Sequence, residues 1–257
     1  MFRFLSIIPL ALGLTLAGEA NVQPVAYQQD NLAMEGKLVL PSTPATGKLP
    51  GIVLMPDWMG VSPQAVAYAR RISEWGYVVL VADLFGKGAQ PENAAEAGKV
   101  SGALKGNTML MRKRATAAFD ALKQQPGVDA DKIGTVGFCF GGMASLELAR
   151  SGAPLLSIVS VHGNLATPSP DDTKNIHGKV LVLQGADDPY ATPAQAQTFM
   201  GELKQAGVDW QVVYYGGAVH GFTNPGSGSD PRVGLAYNAK ADRRAFAVMK
   251  DFLAEAL

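Results

Sequence analysis

Cysteine is almost missing from this chain. Its 257 residues include one, Cys139, so neither an internal disulfide nor a cysteine zinc cluster can form. Charge is scarce too: 17% of residues are charged, below the roughly 25% of an ordinary soluble protein. The 22 basic residues balance 22 acidic ones, so there is no basic footprint for nucleic acid. Histidine occurs three times, at His162, His177 and His220. No two are spaced i, i+4, which gives no metal ligand set. No Ser/Gly linker or internal repeat divides the chain. What is plentiful is apolar: 47% of residues are hydrophobic, so the chain folds rather than staying disordered. A core of this size needs no staple.

Residues 1–20 stand apart. Arg3 gives a short positive start, Leu5 to Ala17 is apolar, and Gly18 and Ala20 are small residues at −3 and −1 of a cleavage site. The pattern is that of a secretory signal, too short for a spanning helix. A retained anchor helix or an N-terminal strand is the alternative. The expectation is an exported protein, periplasmic or secreted, with no stable membrane anchor after cleavage. Residues 21–257 are expected to form one domain.

In that stretch short apolar runs alternate with helical ones. Val25–Gln28 and Met34–Leu40 read as an edge hairpin. Gly51–Met55, Tyr77–Val81, Gly134–Phe138, Leu156–Val161, Lys179–Leu183 and Trp210–Tyr215 read as buried strands, rich in Val, Ile and Leu. Pro63–Trp75, Thr108–Gln124, Gly141–Arg150, Pro193–Ala206 and Asn238–Ala256 read as helices. Ser62-Pro63 is an N-cap followed by proline at the first helical position. Gly86 to Gly106 reads as a cover over the site or as a solvated loop with a short helix. The alternation predicts an α/β fold, a mostly parallel sheet with helices on both faces. Ligands in such folds bind at the carboxyl ends of strands.

Three strand ends carry chemistry. Gly137-Phe-Cys139-Phe-Gly141 follows a strand and opens a helix, the pattern of a nucleophile elbow with Cys in the Ser position. Glycine is needed on both sides because the turn is too tight for a Cβ. The amides of the following helix favour negative charge at the site. A buried structural cysteine is the other reading of Cys139. Gly185-Ala-Asp-Asp188-Pro189 ends a second strand, and Asp188 is chosen over Asp187 as the acid that orients a base. Val219-His220-Gly-Phe222 follows a third. Nucleophile, acid and base thus come in the order Cys139, Asp188, His220, the order of α/β-hydrolases. His177 reads as a surface residue; His162, which ends the strand Ile158–Val161, reads as a hydrogen-bonded histidine at the sheet edge, with a place facing the cleft as the alternative.

These residues resemble the dienelactone hydrolase family of α/β-hydrolases. Gly137-Phe-Cys-Phe-Gly-Gly142, Gly185-Ala-Asp-Asp-Pro189, Val219-His-Gly-Phe222 and Tyr77-Val-Val-Leu-Val-Ala-Asp83-Leu-Phe85 carry the likeness, from about Gln28 to the C-terminus. The resemblance implies Cys139 as nucleophile, Asp188 as orienting acid and His220 as base. It also implies departures. Asp57, in Pro56-Asp57-Trp58-Met59-Gly60, stands where the family often has a thiol-contacting glutamate. Lys87 and Asn224 stand near positions where the dienelactone enzyme grips its anionic substrate with arginines.

The expected activity is cleavage of an ester or lactone through a thioacyl-enzyme, with no cofactor and no metal. The backbone N–H groups of Trp58 and Phe140 are expected to receive the oxyanion. Asp57, Phe85, Lys87 and Phe222 are expected to touch substrate or thiol. Two other classes compete. A thiol redox protein would need an outside resolving thiol. A non-catalytic binding protein would keep the shell with an unreactive Cys139.

Overall fold

A computed structural model describes residues 21–257; the expected leader, 1–20, lies outside them. Eight strands build one sheet in the order β1-β2-β4-β3-β5-β6-β7-β8. β1 (Val22–Gln29) and β2 (Leu32–Val39) form the expected hairpin, and β2 runs antiparallel to β4 (Val78–Val81). From there every neighbour is parallel: β3 (Leu49–Met55), β5 (Val128–Phe138), β6 (Ser157–Val161), β7 (Lys179–Gly185) and β8 (Trp210–Tyr215).

Parallel central strands are buried on both faces, which is why they are nearly continuous Val, Ile and Leu. Alternate side chains divide between two cores. On β3, Val53 and Met55 enter one and Ile52 and Leu54 the other; on β7, Val180 and Val182 oppose Leu181 and Leu183. The first core is closed by α2 (Ala94–Lys105), α3 (Thr108–Lys123), α4 (Phe140–Arg150) and α5 (Pro193–Ala206). The second is closed by α1 (Pro63–Ser73) and α6 (Ala239–Ala256), whose Tyr68, Ile72, Phe246, Met249 and Leu253 are all buried. The α/β expectation, with helices on both faces, is met. Among the described residues no helix is long and apolar enough to cross a membrane.

Helix starts follow local chemistry. The Ser62 hydroxyl accepts the Ala65 N–H, and Thr192 with Gln195 forms a reciprocal capping box at α5. Two elements differ in extent from the sequence reading, which began β5 at Gly134 and gave the short helix within Gly86–Gly106 no bounds. β5 begins six residues earlier than the Gly134 start read from the sequence. Its Val128-Asp129 pairs with Leu49-Pro50 before the register shifts at Pro50/Gly51. The Gly86–Gly106 stretch contains α2, capped by Asn93 and buried at Ala97, Ser101 and Leu104. Its start is tied to the strand before it. Asp83 Oδ1 accepts the N–H groups of Phe85 and Gly86 and the Gln90 amide, each at 2.9 Å.

Because β3, β5, β6, β7 and β8 run the same way, their carboxyl ends share one edge of the sheet. The segments that follow them carry Asp57, Cys139, His162, Asp188 and His220 respectively.

Candidate active site

β5 ends at Phe138 and α4 begins at Phe140, leaving one residue, Cys139, for the whole turn. Its φ is 54° and ψ −116°, a strained left-handed conformation for a side-chain-bearing residue. The flanking glycines are needed for contact. A Cβ on Gly137 would overlap the Gly141 carbonyl, and one on Gly141 would overlap the Met55 carbonyl of β3. α4 is therefore pressed against the sheet with its N-terminus at the thiol, and its first amides have no acceptor within the helix.

His220 Nε2 lies 3.0 Å from Cys139 Sγ, and His220 Nδ1 lies 2.9 Å from Asp188 Oδ2. Asp188 is buried, and its Oδ1 accepts the N–H groups of Tyr190 (2.8 Å) and Ala191 (3.1 Å). Its carboxylate is thus fixed on both oxygens. Asp187 is exposed. Burial pushes the His220 imidazole toward its neutral form. The hydrogen bonds and charges of Asp188 and Cys139 outweigh it and raise the His220 pKa to about 10. The Tyr190 ring stands edge-on to His220, centroids 5.2 Å apart. Thiol, imidazole and carboxylate thus form one hydrogen-bonded line.

A model of the dienelactone hydrolase family matches residues 34–257. The chain belongs to the dienelactone hydrolase family. A solved structure of a dienelactone hydrolase-like promiscuous phosphotriesterase from metagenomic libraries is 38% identical, with a TM-score of 0.85. The match covers 91% of this chain and 98% of that one. The carboxymethylenebutenolidase homolog of Mus musculus is 28% identical over 177 residues, 67% of this chain and 70% of its own. The dienelactone hydrolase of Anabaena variabilis shares the fold at a TM-score of 0.68 and 20% identity, covering 92% of this chain and 99% of that one. The fold is that of the α/β-hydrolases, and the family is one of hydrolases acting on esters and lactones.

The remaining expected site residues divide. Phe140 is buried beside Cys139, and buried Phe85 stacks on it at 5.9 Å. Trp58, in the turn after β3, is partly exposed. Asp57 is close enough to feel the His220 charge, yet its Oδ1 accepts the Met59 N–H at 2.8 Å. Burial raises the Asp57 pKa, against that N–H and the His220 charge. No hydrogen bond from Asp57 to the thiol is present among the described residues. The shorter side chain folds back onto its own turn.

One expectation is corrected. Phe222 does not line the site: it is fully buried in the α1/α6 core, against Tyr215 and His162. Gly221, with φ of 65°, turns the chain directly after His220 and drops Phe222 behind it. The Lys87 ammonium pairs with Glu35 of β2 at 2.9 Å. Asn224 caps a short 3-10 turn by accepting the Gly226 N–H. His177 is exposed, as expected. His162 is more deeply involved than its strand-end position suggested: it is buried and bonded to the backbone of Cys139 itself. No sequence pattern marks that contact. The small Gly163 after it was the one local hint of a tight turn.

Proposed function

We propose that this protein is a cysteine hydrolase of carboxylic esters and lactones working through Cys139, His220 and Asp188. The observation that carries the reading is the unbroken line from Cys139 Sγ through His220 to Asp188, at 3.0 and 2.9 Å. With its pKa raised to about 10, His220 keeps a proton at neutral pH and pairs with a thiolate. The thiolate attacks the carbonyl carbon. Charge collects on the oxygen, which receives the N–H of Phe140 at the helix start and that of Trp58 from the turn after β3. Each such donor is worth about 3 kcal/mol to a transition state of this kind. The tetrahedral species collapses, the C–O bond breaks, and the alkoxide leaves with the His220 proton. Cys139 is left acylated as a thioester. His220, now neutral, takes a proton from water, and the hydroxide attacks the thioester to release the acid and restore the pair.

The substrate side of this reading is a neutral ester or lactone. With Lys87 held by Glu35 and Asn224 capping its own turn, neither position supplies a cation for a substrate carboxylate. A second reading has its own support, the 38% identical relative described as a promiscuous phosphotriesterase. The same thiolate attacking phosphorus would expel a phenolate and leave a phosphorylated thiol. p-Nitrophenyl diethyl phosphate is the probe for it.

Two substitutions test the nucleophile. Cys139→Ala is expected to keep the fold by circular dichroism and lose at least about a thousandfold in p-nitrophenyl acetate turnover. Cys139→Ser is expected to fall in between the two, because a neutral hydroxyl is the poorer nucleophile. An alanine variant with most of its activity would overturn the mechanism. The reading also places the mature protein outside the cytosol, on the strength of residues 1–20. N-terminal sequencing of protein recovered from a bacterial host's periplasm should start near residue 21, and intact Met1 there would contradict it.

A further inference from the structure

Three residues other than glycine have positive φ among the described residues: Asp30 in the β1–β2 hairpin, Cys139 at 54° and His162 at 40°. The last two are joined by a hydrogen bond. The Cys139 N–H donates to His162 Nδ1 at 3.1 Å while also donating to the Val161 carbonyl at 3.0 Å. Strained backbone persists where its surroundings over-determine it, and such sites cluster where function needs a fixed geometry. Here two strained residues at neighbouring strand ends, β5 and β6, hold one another.

The direction of this bond fixes the proton on the imidazole. A nitrogen that accepts from an amide carries a lone pair, so the His162 proton sits on Nε2. Nε2 lies 2.9 Å from Thr223 Oγ1, which takes that proton as acceptor. Thr223 Oγ1 lies in turn 3.0 Å from the Tyr68 hydroxyl. The chain Cys139 N–H to His162, His162 N–H to Thr223, and Thr223 to Tyr68 is therefore consistent in polarity with a neutral His162. The surroundings match. The ring is walled by Phe138 at 6.1 Å, Phe222 at 5.2 Å and the His220 ring at 5.2 Å. A second cation there would oppose the imidazolium of His220, and burial first and His220 second lower the His162 pKa well below the ordinary value.

We propose that His162 is a positioning residue for the nucleophile: as the neutral Nε2–H tautomer it accepts the Cys139 amide and holds the strained elbow so that Sγ faces His220. It touches no substrate and acts through Cys139. The inference rests on the cysteine-hydrolase reading only for its kinetic consequence, since the tautomer and the reactivity of the thiol can be read without turnover.

The test compares two substitutions that both tolerate positive φ. His162→Asn keeps an acceptor near the Nδ1 position, and His162→Gly removes it. Both are judged against wild type by single-turnover acylation with p-nitrophenyl acetate and by the rate of Cys139 alkylation with iodoacetamide. The glycine variant should lose at least about tenfold in the acylation rate constant at unchanged KM, as expected for a misplaced nucleophile. The asparagine variant should recover to within about threefold of wild type. A purely structural role would lower the melting temperature of both and leave acylation per folded molecule untouched; that result, or equal losses in both variants, would overturn the proposal. Nitrogen-15 NMR of histidine-labelled wild-type protein decides if either variant fails to fold. It should show His162 protonated on Nε2 alone and not titrating across about pH 5–8, whereas a proton on Nδ1 or a titration in that range would refute it. If wild type alkylates but does not turn over ester, the hydrolase reading fails, and the alkylation rates still judge His162.

Discussion

At the scale of single residues, the site is a problem of keeping one proton in the right place. Asp188 is anchored by two backbone N–H groups, so its free oxygen holds His220 Nδ1 and fixes which imidazole nitrogen faces the thiol. Burial alone would strip the proton from His220; Asp188 and Cys139 restore it and carry the pKa to about 10. The sign matters for pH. A histidine whose pKa is raised keeps its proton through neutrality and loses it only as the pH climbs through about 10, so the His220 imidazolium is lost on the alkaline side. Removing the Cys139 side chain removes one of the two partners that raise it. In Cys139→Ala the His220 pKa, followed by NMR titration, should fall below the wild-type value. An unchanged value would mean that the pair does not exist. Cys139, Asp188 and His220 were legible in the sequence because each follows a strand and has a glycine within three residues. His162 and Thr223 were not, because the bonds that join them to Cys139 span 23 and 61 residues and depend on backbone angles that composition does not encode.

At the scale of elements, the elbow depends on how closely β5, α4 and β3 approach. Gly137 and Gly141 are where that approach is set, since a methyl group at either meets a main-chain carbonyl that cannot rotate away. Gly137→Ala is expected to cost roughly 3 kcal/mol or more, a fall in melting temperature of about 6 °C or more, with activity falling further than stability. A variant that melts like wild type and turns over ester normally would show that the turn has slack. Apart from the start of β5, the sequence located the central strands and most helices within a residue or two, because parallel strands buried on both faces are unmistakably apolar. It offered only an unplaced short helix where α2 lies, because the Ala- and Gly-rich stretch has few large side chains to mark a face; its place is set by burial of Ala97, Ser101 and Leu104 and by the Asp83 contacts before it. It also placed Phe222 on the site, where Gly221 turns it into the core instead.

At the scale of the whole molecule, a parallel sheet brings five strand ends to one edge, and the loops there decide what is bound. Here those loops bring Cys139, His220 and Asp188 into one hydrogen-bonded line, while Lys87 pairs with Glu35 and Asn224 caps its own turn. The expected preference is for uncharged substrates: kcat/KM for a neutral p-nitrophenyl ester should exceed that for an analogue bearing a carboxylate by at least about tenfold. A preference for the anion would require a cationic contact that this arrangement does not supply. A Cys139 nucleophile must become acylated during turnover, and the acyl group can be weighed. Protein mixed with p-nitrophenyl acetate and quenched within the first turnover is digested and weighed by mass spectrometry. The account predicts an acetyl group on the Cys139 peptide that disappears on further incubation, with a matching burst of p-nitrophenol. Ester turnover with that peptide unmodified at every time point would contradict it.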